Sequence, residues 1–107
     1  MTINIKHRHV PLTEAIKEYV EQKLNALTKY AGLVRHTDVE VGRTSTRHKN
    51  GDVYLCKAVF TLENGQVVKI DREAKDLYKA IDKVHDLARE ALGDLHRFEV
   101  ERSIATA

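Results

Sequence analysis

Apolar residues recur along this chain with two different periods, and the switches between them mark out its elements. Residues 2–8 alternate: Ile3 and Ile5 fall on one face and Asn4, Lys6 and Arg8 on the other, as in a half-buried strand. Pro11 ends that strand. Thr13 is placed to cap a helix whose first turn carries Glu14 at the positive end of the helix dipole. Ile16, Val20, Leu24, Leu27 and Ala31 then keep a spacing of three or four, one apolar stripe, and Gly32 supplies a C-terminal stop.

Two alternating runs follow. In residues 34–42, Thr37, Val39 and Val41 oppose Asp38 and Glu40. In residues 53–62, Tyr54, Cys56, Ala58, Phe60 and Leu62 oppose Val53, Leu55, Lys57 and Val59. The polar stretch from Arg43 to Gly51 is longer than a tight hairpin. Asn64-Gly65 is a strong hairpin signal, and the strand after it, 66–71, buries Val68 and Ile70. The last pattern is the clearest: Leu77, Ile81, Val84, Ala88, Leu92 and Leu95 predict a helix from near Ala74. Gly93 is a point for it to fray or end, since an interior glycine costs about 1 kcal/mol relative to alanine. Residues 98–107 are then a short tail beyond a domain of residues 1–97.

The order β-α-β-β-β-α favours a parallel first pair and antiparallel neighbours after it. The economical solution is an α+β fold, a four-stranded mixed sheet with two helices packed on one face. The other face stays open, carrying Asn4, Lys6, Arg8, Lys57 and Lys69.

A length of 107 residues leaves no room for a second independent core. No stretch nears the roughly 20 apolar residues that span a bilayer, and the N-terminus lacks the apolar run of a secretory signal. The single cysteine, Cys56, cannot form an internal disulfide, which suits the reducing cytoplasm. No nucleophile elbow, glycine-rich phosphate loop or metal motif is present, so an enzyme is the weakest reading and no cofactor is expected. His7 and His9 project to one side of a strand. A zinc site needs three or four ligands, however, and no further one stands at a recognisable spacing. Eighteen basic against 16 acidic side chains leave a net charge of only +2, and tryptophan is absent. RNA binding must therefore come from how the charges are arranged.

That arrangement is most suggestive on the last helix. Lys79 and Arg97 lie opposite its apolar stripe, flanked by Lys75, Lys83 and Arg89, although Asp82, Asp86 and Glu90 share the face. Cations clustered on a rigid helix neutralise phosphates and release counterions; the same residues also read as a solvated face laced with i,i+3 and i,i+4 pairs. Lys23 projects toward the apolar arc of the first helix, either as a stem covering the core edge or as a cation held at the seam between helices. The loop with Arg43, Arg47, His48 and Lys49 carries no acid, and reads equally as an RNA-following loop or a hairpin tip. Cys56 faces the core, and His85 and Tyr78 lie at its margin.

In order and spacing, several segments resemble the ribosome hibernation factors, the family of hibernation promoting factor and ribosome-associated inhibitor A. They are Thr2-Ile3-Asn4-Ile5, the run from Leu12 to Val20, Lys23-Leu24 and Leu27 ahead of Tyr30, Asn64-Gly65, and Asp76-Leu77-Tyr78-Lys79-Ala80-Ile81-Asp82. The last is the sharpest, where the family reads Asp-Met/Leu-Tyr-x-Ala-Ile-Asp. The resemblance spans about residues 2–92 and implies the fold just derived. It implies binding of the small ribosomal subunit, through 16S-type rRNA, in the channel used by messenger and transfer RNA. It also implies silencing of idle ribosomes under stress or in stationary phase, by a short-form, cytoplasmic protein that is monomeric when free. With it, the candidate rRNA-contacting residues are Lys23, Lys75, Lys79, Lys83 and Arg89, with Lys17, Arg8, Arg47 and Lys49; the resemblance supports Lys23 and the last-helix face, while the loop with Arg47 and Lys49 carries no family motif. Leu87 and Glu90 stand where the family carries basic residues, Ala26 replaces a common lysine, and a lysine run is reduced to His96-Arg97. The competing reading is a protein-interaction module, homodimer or adaptor, that uses the open sheet face around Val53, Leu55 and Val59.

Overall fold

The alternating segments form strands β1 (Thr2–Arg8), β2 (Val34–Arg43), β3 (Tyr54–Leu62) and β4 (Val67–Ala74), and the periodic ones form helices α1 (Glu14–Asn25) and α2 (Leu77–Thr106). This computed structural model describes residues 2–30, 32–44 and 53–106, with side chains described for all of these but 28 and 98–106. The sheet runs β1-β2-β3-β4. β1 pairs parallel with β2, and the remaining pairs are antiparallel. The expected mixed sheet with two helices is thus realised.

One core joins the helices to the sheet. Val20 and Leu24 of α1 and Leu77, Ala80, Ile81, Val84, Ala88 and Leu92 of α2 cluster with Val39, Val41, Cys56, Ala58, Phe60, Leu62 and Ile70. Strict alternation would put Val34 and Thr37 on opposite faces, yet both are buried. A register shift between Val34 and His36 inserts the extra residue that turns both inward.

The helices differ from expectation at their ends, each for a local reason. α1 stops at Asn25 instead of continuing to Ala31. A 3-10 turn, Thr28–Tyr30, follows it, with Leu27 N–H bonded to the Leu24 carbonyl and Tyr30 N–H to that of Leu27. The tighter turn brings Leu27 and Tyr30 into the core. α2 begins at Leu77, not near Ala74, because β4 runs on to Ala74 and Asp76 then caps the helix. The Asp76 carboxylate accepts from Tyr78 N–H at 2.9 Å, and its carbonyl from Ala80 N–H at 3.1 Å.

α2 also passes through Gly93 to Thr106, so residues 98–106 continue the helix where a tail was expected. A Cβ built at Gly93 would stand 3.1 Å from the Tyr30 hydroxyl. Glycine leaves the space that the buried Tyr30 ring occupies, and this packing offsets its intrinsic cost in a helix.

The open sheet face is mostly polar. Lys6, Glu40, Lys57 and Asp71 stand in register across all four strands with charges of alternating sign. Val53, Leu55 and Val59 are half-buried among such side chains. The large apolar residues standing exposed among the described residues are Val67, at 50%, and Tyr78, at 38%.

Thr37 breaks the apolar character of the core. It is 0% exposed, and its hydroxyl has no hydrogen-bond partner among the described residues. A buried, unsatisfied hydroxyl costs roughly 1–3 kcal/mol. Thr37→Val keeps the shape and removes that cost, so it should stabilise the domain by about 1 kcal/mol in urea denaturation. A lowered midpoint would show that the hydroxyl is satisfied in solution.

Candidate nucleic-acid interface

The outer face of α2 is built from its first turns. Lys75 precedes the helix, and Lys79 and Lys83 follow at intervals of four, so the three rise along one side. All three are exposed. Lys83 Nζ donates to the Glu73 carbonyl at 3.3 Å, which ties it to the end of β4. Lys75, Lys79 and Arg89 make no ion pair among the described residues. The lacing of this face by helical ion pairs is therefore largely absent: Asp94 pairs with Arg97 at 3.1 Å, while Asp86 contacts His85.

The position of these lysines matters as much as their exposure. The N-terminal end of a helix carries partial positive charge, and each cation there is disfavoured by about 0.3–1 kcal/mol. The N-cap Asp76 offsets this with its carboxylate, while the first turn of α2 itself holds no acid. Lys75 and Lys79 thus gain nothing from the dipole where they stand.

Lys23 lies at the seam between the helices, as its place on α1 suggested, but it is not a bare cation. Its Nζ stands 3.3 Å from Asp82 Oδ1 and 5.5 Å from the centre of the Tyr19 ring. The Tyr19 hydroxyl donates to the same Asp82 oxygen. Tyr78 meets Tyr19 edge to face, with centroids 4.9 Å apart. Two i,i+4 pairs, Tyr19/Lys23 and Tyr78/Asp82, thereby interlock. From the sequence Asp82 looked like a charge that weakens a basic face; in the fold it is the acceptor that holds Lys23 and Tyr19. The hydrogen bond from Tyr19 holds the Asp82 carboxyl below the usual carboxylate range, against the effect of burial and with help from Lys23. The same bond, reinforced by burial, pushes the Tyr19 hydroxyl up to about 12.

Other candidate residues fall elsewhere. Arg8 belongs to the open sheet face, 3.6 Å from Glu40. Lys17 is exposed on α1, about 120° around the helix from Lys23, so it leaves the seam. Arg89 lies further along α2 and lines a groove of about 630 Å³ with Tyr30, Arg97, Asp86, Glu90 and Lys29. Lys29 was not foreseen; its only mark in the sequence is its neighbour Tyr30, over whose ring its Nζ sits at 5.2 Å. Arg47 and Lys49 lie outside the described residues.

Cys56 is buried, which raises its thiol to about 12 and removes it from thiolate chemistry at neutral pH. β1 ends at Arg8, and His9 turns the chain with φ of 60°, so His7 and His9 do not share one strand. Among the described residues, no three His, Cys, Asp or Glu side chains gather to hold a metal, and no helix is long and apolar enough to cross a membrane.

Residues 3–98 match the protein family described as Sigma 54 modulation protein / S30EA ribosomal protein. The chain is 32% identical over 85 residues to the ribosome hibernation promotion factor of Deinococcus radiodurans, covering 79% of this chain but 44% of that protein. It is 29% identical over 101 residues to the ribosome hibernation promoting factor of Acinetobacter guillouiae, covering 91% of this chain and 88% of that protein. The Protein Y N-terminal domain of Thermus thermophilus superposes with a TM-score of 0.73 at 25% identity, over 89% of this chain and 99% of that one. A ribosomal subunit interface protein from Coxiella burnetii shares the fold, with a TM-score of 0.77 at 18% identity over 91% of this chain and 99% of that one.

The seam has a pH signature. Asp82 is lowered in the fold, so its contribution to stability is present above its ordinary value of 3.8 and is lost as pH falls through the lowered one. Tyr19 is raised, so its contribution is full below 10.0 and is lost as pH rises toward about 12. The stability difference between the wild type and Tyr19→Phe should stay flat from about pH 5 to 8 and shrink above pH 10. In an ultraviolet titration one tyrosine should ionise near pH 12, and Asp82→Asn should return it toward 10. Ordinary ionisation of every tyrosine in the wild type would sink this account.

Proposed function

Because the chain belongs to the Sigma 54 modulation protein / S30EA ribosomal protein family, we propose that it is a ribosome hibernation factor. On this reading it binds the small subunit in the channel for messenger and transfer RNA. It keeps idle ribosomes silent under stress or in stationary phase. It acts in the cytoplasm as a binder, not a catalyst, and is monomeric when free.

The observation that carries the reading is the state of Lys75 and Lys79. They stand exposed and without acidic partners at the end of α2 where the helix dipole disfavours them. Such an arrangement lowers stability, and phosphate contact makes use of it. Lys83 extends the strip, while Lys23, already neutralised by Asp82, serves chiefly to set the angle of the helices. The open sheet face offers less to a protein partner, since its charges alternate and Leu55 and Val59 are half-buried.

Co-sedimentation with ribosomal subunits across a salt series tests this. Binding to small subunits should weaken steeply as salt rises, because released counterions drive it. Lys75→Glu with Lys79→Glu should cut affinity at least about tenfold and reduce the salt slope by roughly one per lost phosphate contact. The same double variant should hold or raise thermal stability, because acids suit a helix N-terminus. Undiminished sedimentation of a folded double variant would show that a different face makes the contact.

A further inference from the structure

The topology gathers an unusual set of ends. β1 and β2 finish at the edge of the sheet where β3 starts and β4 finishes, as the pairings Arg8 with Gly42, Arg43 with Tyr54 and Tyr54 with Ala74 require. α1 starts directly after β1 and α2 directly after β4, so both helices begin at this same end.

A groove of about 420 Å³ opens there. His9, Arg43 and Lys75 bring hydrogen-bond donors and positive charge to it, and Tyr54, Tyr78 and Pro11 bring flat apolar surface. Its one acid, Asp76, is committed to capping α2 through Tyr78 N–H. Lys75 has no acidic partner among the described residues. Tyr78 is one of the exposed large apolar side chains of the domain, and its ring is braced from one side by the edge contact with Tyr19. Among the described residues, His9 is the non-glycine residue held at positive φ, 60°. That conformation is strained for a side-chain-bearing residue, and it places the imidazole in the lining of the groove.

Donors and cations beside aromatic surface in one groove are complementary to a phosphate joined to a base. The volume falls in the range of small-ligand clefts. A double helix presents its bases stacked and paired, so the fitting unit is an unstacked one. We propose that this groove takes one unpaired nucleotide of an RNA strand, its phosphate beside His9 and Lys75 and its base against Tyr54 and Tyr78. The proposal rests on the RNA-binding reading above for the source of the strand, and adds a site that reads a single base beside the lysine strip of α2. The positive ends of both helices reinforce the phosphate side of the groove.

Titration of the isotope-labelled full chain, followed by amide chemical shifts, tests it with three probes: inorganic phosphate, uridine and adenosine 5′-monophosphates, and a single-stranded RNA pentanucleotide. Saturable shifts should centre on His9, Tyr54, Lys75 and Tyr78 with the mononucleotides, and the pentanucleotide should bind there at least about tenfold more tightly. His9→Gly, which relieves the positive φ, should keep the fold and weaken nucleotide binding several-fold; Lys75→Glu should do the same. The proposal is overturned if the groove residues stay silent to every nucleotide probe. Inorganic phosphate matching the nucleotides would overturn it as well, since the base would then contribute nothing. Ribosome co-sedimentation run in parallel separates the two readings. A groove that fills with RNA in a chain that does not sediment with ribosomes leaves the groove standing and removes the ribosome. Sedimentation with a silent groove removes only the groove.

Discussion

The parallel pairing of β1 with β2 is the constraint on which the other features depend. Parallel neighbours cannot be joined by a hairpin, so the chain must return the length of the sheet through a crossover, and α1 is that crossover. The two strands approach closely at their far end, where a Cβ on Gly42 would stand 3.1 Å from the Arg8 carbonyl oxygen. Glycine there lets the last pair of the ladder close. Once β1 and β2 finish together, the two antiparallel strands that follow bring the chain back to the same end, and α2 has to begin beside α1. The helices then run alongside each other on one sheet face, which leaves the opposite face open and directs both helix N-termini one way.

Running alongside, the helices need a seam, and here it is polar. Tyr19, Lys23, Tyr78 and Asp82 interlock at the outer edge of the core, where the two aromatic rings meet edge to face and the charged atoms reach solvent. A pair this exposed adds little to stability by itself, about 0–1 kcal/mol. Its geometric effect is larger, since Asp82 accepts from both Tyr19 and Lys23 and so fixes the register of α1 on α2. That register presents Lys79 and Lys83 of α2 to solvent, where neither makes an ion pair among the described residues.

The fold was legible where periodicity decides it. Strands β2 and β3 and the buried stripe of α2 follow directly from periods of two and of three to four, because burial on one face imposes them. The end of α1 was not legible, since Leu27 and Tyr30 are three apart and that spacing serves a 3-10 turn as well as an α-helix. Gly93 read as a weak point because its compensation is tertiary: the Tyr30 ring that fills its space comes from a distant part of the chain. The same holds at the candidate interface. Lys75, Lys79 and Lys83 were visible as a helical strip, whereas the neutralisation of Lys23 by Asp82 depends on how two helices meet. The groove escaped notice entirely, because its residues come from the turn after β1, from α1, from the adjoining ends of β2 and β3, and from the start of α2, and share no local pattern.

The departures from the family pattern take on a consistent geometry in the fold. Leu87, where a basic residue is usual, is half-buried and lines a cleft with Ile70 and Ala91, beside Glu90 and Asp94. Apolar packing and acids thus occupy the middle of α2, and beyond them Arg97 is paired with Asp94. Among the described residues, Lys75, Lys79 and Lys83 make no ion pair and stand at the start of the helix, next to the groove and the convergent helix ends, and Arg89 follows further along. On the proposed reading, the loss of basic residues along α2 does not weaken contact evenly. It shifts the electrostatic centre of the binding surface toward the end of the sheet, so that a bound RNA strand is held mainly where the chain's topology has already gathered its positive helix termini.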